Sequence, residues 1–248
     1  MERKYISRVA LSKAIGKGSY LYDLPAVKHL MREDIVFPND VTFFIGENGT
    51  GKSTLLEAIA VAYGFNAEGG SKNFCFATNE THAPLYKHLT IAKSSYAKDG
   101  FFLRAESFYN VATNIDQMDS EPSFDPPVIE GYGGVSLHQQ SHGESFLSLV
   151  QNRFGGNGLY ILDEPEAALS PARLLTLLVE MDRLVKRNSQ LIIATHSPIL
   201  MAFPGATIYQ LTEGGIESVG YRETAHYQLT RRFLENPEKM LQYLLEEK

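Results

Sequence analysis

Thiols are almost absent from the sequence. Cys75 is the one cysteine in 248 residues, so no disulfide can close within the chain, which fits a reducing cytoplasm. Its expected role is that of a small buried apolar residue. Long apolar runs are missing as well. None approaches the roughly 20 residues that span a bilayer, so the chain is not expected to form a membrane pore by itself. No apolar stretch follows Met1-Glu2-Arg3-Lys4, and no signal peptide is expected. A basic excess is also lacking, with 23 Lys and Arg against 29 Asp and Glu and a net charge of −6. That excludes a bulk nucleic-acid footprint while leaving room for a local patch. No Pro/Ser-rich linker, low-complexity run or internal repeat divides the sequence, so residues 1–248 read as one domain with a sizeable core.

What is present is the patterning of an α/β protein. Val41–Ile45, Leu159–Leu162 and Leu191–Ala194 are short continuous apolar runs, the mark of strands buried on both faces. Further strands are expected near Ile6–Leu11, His88–Lys93 and Gly100–Glu106. Ala206–Leu211 and Ile216–Val219, joined by Glu213-Gly214-Gly215, form a hairpin pattern. Helical spacing follows Ser53, with Leu55, Leu56, Ile59 and Ala60 on one side. It recurs from about Gly143, from Pro171 to Lys186 behind a capping Ser170, and over the last 25 residues with a break at Asn236-Pro237. The Pro- and Gly-rich stretch 116–136 is the most irregular. Strands alternating with helices predict a largely parallel central sheet with an antiparallel β portion.

Gly46-Glu47-Asn48-Gly49-Thr50-Gly51-Lys52-Ser53 lies between a buried strand and a helix. Two glycines five positions apart followed by Lys-Ser is the composition of a phosphate-cradling loop. Its glycines let backbone N–H groups turn inward toward phosphate oxygens, and the following helix adds its positive end. Lys52 is placed for the β- and γ-phosphates of ATP, the Ser53 hydroxyl for Mg²⁺, and Thr54 completes the nucleotide-binding segment. A second buried strand runs into Asp163, the expected Mg²⁺ partner, and Glu164, the expected general base for an attacking water. A third ends in Thr195-His196-Ser197-Pro198, where His196 is placed to sense the γ-phosphate.

The order of these motifs resembles that of ATP-binding cassette (ABC) ATPases. Ser141-His142-Gly143-Glu144-Ser145, beginning 22 residues before Asp163, is similar to the family's Leu-Ser-Gly-Gly-Gln or Leu-Ser-Gly-Gly-Glu signature. Gln140 stands in place of its Leu and His142 in place of its first Gly. His196 lies 33 residues after Asp163, as the switch histidine does. Ala167-Ala168-Leu169-Ser170 departs at both ends from the usual Ser-Ala-Leu-Asp D-loop. No clear Q-loop glutamine is present, and Glu106 is the substitute candidate. Tyr20 and Tyr22 are candidates for an adenine-stacking aromatic. The whole chain also resembles small bacterial ATPases of the AAA kind, related to chromosome-maintenance, repair and transporter ATPases. The resemblance implies a P-loop NTPase fold with a small helical signature lobe at roughly 107–155. It also implies a head-to-tail dimer: Ser141, Gly143 and Glu144 of a second copy would complete the ATP site, with His142 facing phosphate.

Three readings of its work stay open. One is a soluble ATP-driven switch in DNA repair, phage defence or another nucleic-acid process, with a nucleic-acid or protein partner. Only 88 residues separate Lys52 from Ser141, too few for the long coiled-coil arm of chromosome-maintenance relatives. Another is the nucleotide-binding subunit of a membrane transporter, which would require a membrane partner. The last is an ATP-regulated module without turnover, against which Glu164 argues.

Overall fold

The computed structural model describes residues 4–71, 83–104, 108–120 and 126–245. Cys75 and Glu106 lie outside them.

The central sheet has six strands: β3 (Val41–Ile45), β5 (Asp99–Arg104), β6 (Gly158–Asp163), β7 (Gln190–Ala194), β8 (Thr207–Thr212) and β9 (Gly215–Ser218). Their order is β5-β6-β7-β3-β8-β9. The first five are parallel, and β9 returns antiparallel to β8 through the expected hairpin. Every residue of β3, β6 and β7 is buried, as their unbroken apolar runs predict. Period-two alternation sends Val41, Phe43, Ile45, Tyr160, Leu162, Leu191 and Ile193 into one core, and Phe44, Leu159, Ile161, Ile192 and Ala194 into the other.

The first core is covered by α3 (Phe108–Ser120), α4 (His142–Arg153), α5 (Pro171–Lys186) and the short α6 (Pro198–Met201). The second is covered by α1 (Pro25–Leu30), α2 (Lys52–Tyr63) and a three-stranded antiparallel sheet of order β2-β1-β4: Ile35–Val36, Arg8–Leu11 and Leu89–Ala92. From α2, Leu55, Leu56 and Ile59 are wholly buried, each contributing about 1.5–3 kcal/mol. The chain ends in α7 (Ala225–Glu235) and α8 (Pro237–Leu245), separated at Asn236 as expected, with no buried residue on either. Among the described residues no helix is long and apolar enough to cross a membrane.

Three helices were not individually foreseen: α1, the 4-residue α6, and α3, which falls inside the helical lobe expected at roughly 107–155. α1 begins at Pro25, a natural first helical residue, yet at 6 residues it is too short to show a period. α3 runs into the Pro/Gly-rich stretch as far as Ser120. It is held by tertiary burial of Phe108, Val111, Ala112 and Ile115.

The register brings the carboxyl ends of the core strands level. Arg104 pairs with Asp163, Asp163 with Ala194, and Phe44 with Ala194. The segments that follow β3, β6 and β7 therefore emerge along one sheet edge, where ligands of open α/β sheets bind.

Candidate functional site

The phosphate loop follows β3 and closes into α2. Gly51 is the N-cap of α2 with φ +88°, in the left-handed region, where a side chain is disfavoured. Leu24, leading into α1, packs within 3.3 Å of where a Gly51 Cβ would stand. The loop forms the floor of an open cleft of about 400 Å³ lined by Leu24, Asn48, Gly49, Lys52, Ser53 and Thr54, with Glu164 on its far side. Glu47, Asn48 and Gly49 are exposed at its rim, and Thr50 Oγ1 donates to the Glu47 carbonyl at 2.8 Å.

Lys52 is only 4% exposed. Its ammonium donates to the carbonyls of Gly46 and Glu47 at 2.9 and 3.0 Å, so the loop wraps the charge that it presents. Burial lowers the Lys52 pKa, and the carboxylates of Glu164, Asp163 and Glu166 oppose that. Ser53 Oγ donates to Asp163 Oδ1 at 3.1 Å, joining residues from β6 and α2. Two oxygen donors at that separation fit neighbouring ligands of a small octahedral cation, which lie about 2.9 Å apart at bond lengths of 2.0–2.1 Å. Asp163 is buried, and its Oδ2 lies 3.9 Å from Arg104 Nε. Arg104 in turn donates to Glu57 of α2 at 2.8 Å. Arg104 and Glu57 thus brace Asp163, the candidate cation ligand, from behind.

Glu164 adopts φ +50°, ψ 53°, a left-handed conformation costly for a residue with a side chain. Its amide donates to the Ala194 carbonyl at 3.0 Å, and the 3-10 turn Pro165–Ala167 begins immediately after it. The bend takes the chain off the sheet and leaves the Glu164 carboxylate 40% exposed toward the cleft. His196 Nε2 lies 3.7 Å from Glu164 Oε1.

The segment carrying His196 is fixed by Glu166, whose carboxylate accepts from the His196 amide and from the Thr195 hydroxyl, the latter at 2.8 Å. Burial raises the Glu166 pKa despite these bonds. On its other side His196 Nδ1 lies 3.0 Å from Nε2 of His226 on α7. Burial lowers the pKa of both histidines, Lys52 adding to the effect in each.

The signature segment caps α4. Ser141 Oγ donates to Glu144 Oε2 at 2.6 Å, and that carboxylate also accepts from the Ser141 amide at 3.1 Å. The Glu144 half of a capping box is thus made, the Glu144 amide donating to the Ser141 carbonyl at 2.9 Å, and the bonds from Ser141 hold the Glu144 pKa below the usual range. Arg173 near the start of α5 reaches both partners, Ser141 Oγ at 3.3 Å and Glu144 Oε1 at 3.1 Å. Gly143 is buried so closely that a Cβ would stand 2.4 Å from Arg173 Nη1 and 2.9 Å from the Ala168 carbonyl. The His142 ring lies 6.4 Å from that of Phe108.

Lys52, Ser53, Asp163, Glu164 and His196 are brought together as expected. Neither tyrosine candidate lines the cleft. Tyr20 is 61% exposed and Tyr22 packs against the core beneath the small sheet, while Leu24 forms the wall. Sequence reasoning missed Glu57, Glu166 and His226. Glu166 is two residues beyond the Asp-Glu pair, but an acid in a turn is ordinarily solvated. His226 stands on a far helix with no motif spacing to mark it.

Residues 27–110, which include the phosphate loop, match the family described as "AAA domain". Residues 130–202, which hold the signature segment, Asp163, Glu164 and His196, match the family described as "AAA domain, putative AbiEii toxin, Type IV TA system". No curated protein matches the chain. Among solved structures the fold is similar to cbiO1 from Clostridium perfringens, part of the ABC transporter complex cbiONQ. That likeness is 16% identical, covers 98% of this chain and 100% of that one, and has a TM-score of 0.52. It is similar also to "An inward-facing conformation of a putative metal-chelate type ABC transporter", 14% identical over 91% of this chain and 88% of that one, at a TM-score of 0.51. The chain thus has the P-loop fold of an ABC/AAA-type ATPase, with a mostly parallel sheet and an antiparallel one beside it.

Proposed function

We propose that the chain binds ATP with Mg²⁺ and hydrolyses it to ADP and phosphate. The observation that carries this reading is the Ser53–Asp163 contact at 3.1 Å, at the mouth of a loop-floored cleft that the Glu164 carboxylate faces. Backbone N–H groups of residues 46–51, the α2 N-terminus and Lys52 bind the phosphates electrostatically. Ser53 and Asp163 would hold Mg²⁺, which neutralises charge developing on the phosphates when bound. Glu164 orients a water and takes its proton as the water oxygen bonds to the γ-phosphorus and the bond from that phosphorus to the β–γ bridging oxygen breaks, releasing ADP. His196 donates through Nε2 to a γ-phosphate oxygen, and Glu166 keeps its segment in place.

Replacement of Lys52 by Ala is expected to abolish nucleotide binding, followed by titration with a fluorescent ATP analogue. Normal binding and turnover in that variant would overturn the assignment. Glu164→Gln is expected to keep binding and lose turnover by about 100-fold or more.

We further propose that the active form is a head-to-tail pair of copies with two ATP molecules between them. Support comes from the α4 N-terminus, where Ser141, His142 and Glu144 are exposed at the positive end of a 12-residue helix, able to face a phosphate from another copy. Size-exclusion chromatography of Glu164→Gln with and without MgATP decides the point, and a monomer under both conditions sinks the paired form. As to the work driven, the family description that names a toxin–antitoxin system favours a cytoplasmic switch in a defence process over a transporter subunit.

A further inference from the structure

His226 sits where it sets the proton position on His196. It is the second residue of α7, whose N-cap Thr224 is fully buried, donating to the Tyr221 carbonyl at 2.8 Å and accepting from the Tyr227 amide at 3.2 Å. The Tyr221 and Tyr227 rings pack 4.8 Å apart beside it. The start of α7 is therefore fixed, and with it the imidazole that meets His196 at 3.0 Å.

A contact between two neutral imidazoles has one N–H. If His196 Nδ1 carries it, His196 Nε2 is a bare lone pair facing the Glu164 carboxylate at 3.7 Å. The remaining N–H of His226 is then at Nδ1, which is buried with no hydrogen-bond partner. An electron-rich nitrogen then opposes a carboxylate. If His226 Nε2 carries it, that repulsion becomes attraction: His196 Nε2 becomes N–H, directed at the Glu164 carboxylate at 3.7 Å. His196 Nε2 and His226 Nδ1 are buried with no hydrogen-bond partner in either form, so the Glu164 carboxylate decides between the two. The charged groups around the pair are Lys52 from α2 and Glu164 and Glu166 from the turn after β6. Burial and Lys52 keep His196 neutral more readily than a free histidine, so its tautomer matters. Only the Nε2–H form donates to phosphate without first gaining a proton.

We propose that His226 is a positioning residue that donates from Nε2 to His196 Nδ1, holding His196 as the Nε2–H tautomer ready to donate to the terminal phosphate. The phosphate half of this inference rests on the ATPase reading above; the tautomer half does not.

Long-range ¹H–¹⁵N NMR of the ¹⁵N-histidine-labelled full chain without nucleotide reads the tautomer directly, the His196 signals being assigned by loss in His196→Gln. Wild type is expected to show His196 protonated at Nε2 and bare at Nδ1. Protonation at Nδ1 overturns the proposal, whatever the chain does with ATP. In turnover assays His226→Leu is expected to lose about 10- to 100-fold in kcat with KM for ATP within about two-fold. His226→Gln, whose side-chain amide donates from nearly the same place, is expected to restore most of kcat. His226→Glu, an acceptor only, is not. Full turnover in His226→Leu overturns the role, as does equal loss in the Gln and Leu variants when both are folded by circular dichroism. If wild type itself binds no ATP, the ATPase reading fails while the NMR result stands.

Discussion

The Glu164 amide donates to the Ala194 carbonyl at 3.0 Å, pinning a left-handed residue at the end of β6 to the neighbouring strand end. The bend aims a carboxylate at the cleft instead of continuing along the sheet. It carries steric strain of about 1–3 kcal/mol, which a glycine there would not. Glu164→Gly is therefore expected to be more stable than Glu164→Ala by about 1 kcal/mol, the reverse of the usual order, while both lack turnover. Urea unfolding of the two variants measures this. An Ala variant as stable as the Gly variant would show that the conformation is unstrained.

Gly143 lets the start of α4 press against the turn before α5. A methyl there meets the Arg173 guanidinium at 2.4 Å and the Ala168 carbonyl at 2.9 Å. The first obstacle is the end of a flexible side chain; the second is backbone and cannot swing away. Gly143→Ala is expected to destabilise by about 1–3 kcal/mol. Adding Arg173→Ala should recover only part of that, because the carbonyl remains and the exposed Arg173–Glu144 pair contributes little. Thermal unfolding of the two single variants and the double variant forms the cycle. Full recovery in the double variant would remove the backbone contact from the account.

The sequence disclosed the chemistry of the edge better than its scaffolding. Lys52, Ser53, Asp163 and Glu164 sit in patterns whose spacing is set by the chain itself, a loop between strand and helix or a strand end, so local reading reached them. The central strands were legible because burial on both faces leaves an apolar run. The small sheet was only half legible: β1 and β4 lay inside the expected segments, but the 2-residue β2 is too short for any period. Glu57, Glu166 and His226 act through contacts 47, 29 and 30 residues apart, to Arg104, Thr195 and His196 respectively. Nothing local distinguishes them from solvated charges on helices and turns. α3 hides in a weakly apolar stretch because its stability comes from tertiary burial and not from intrinsic propensity.

Glu166 makes stability depend on pH in a defined sense. Its folded pKa is raised by burial, so the folded protein holds that proton more tightly than the unfolded chain. Its contribution is complete below the usual carboxylate range and is lost as pH rises through the folded value. His196 and His226 act oppositely. Their folded values are lowered, so their contribution is present above the ordinary histidine value and is lost as pH falls through the folded ones. Glu166→Gln keeps an acceptor for the His196 amide and can donate to Thr195 Oγ1, but it does not titrate. The stability of Glu166→Gln relative to wild type is expected to climb as pH rises from about 4.5 toward neutrality, read from urea unfolding at several pH values. A difference that stays level would mean that Glu166 titrates in the fold as it does in solution.

Lys52 separates stability from binding. Its ammonium is caged by the Gly46 and Glu47 carbonyls, so without nucleotide it is a buried charge held mainly by backbone. Replacing such a charge with an apolar chain of similar length is often neutral. Lys52→Met is expected to unfold within about 1 kcal/mol of wild type when both are free of ligand. With MgATP at a hundredfold excess over Kd, wild type should gain about 2.7 kcal/mol. That corresponds to a thermal shift on the order of 5–10 °C for a chain of this size. Lys52→Met should show almost none of it, because the phosphates lose their one buried counter-charge from the loop. Differential scanning fluorimetry with and without MgATP makes both comparisons in one experiment. A variant that melts far below wild type when ligand-free would instead assign Lys52 a structural role in closing the loop, and a wild-type shift in the variant would remove the loop from nucleotide binding.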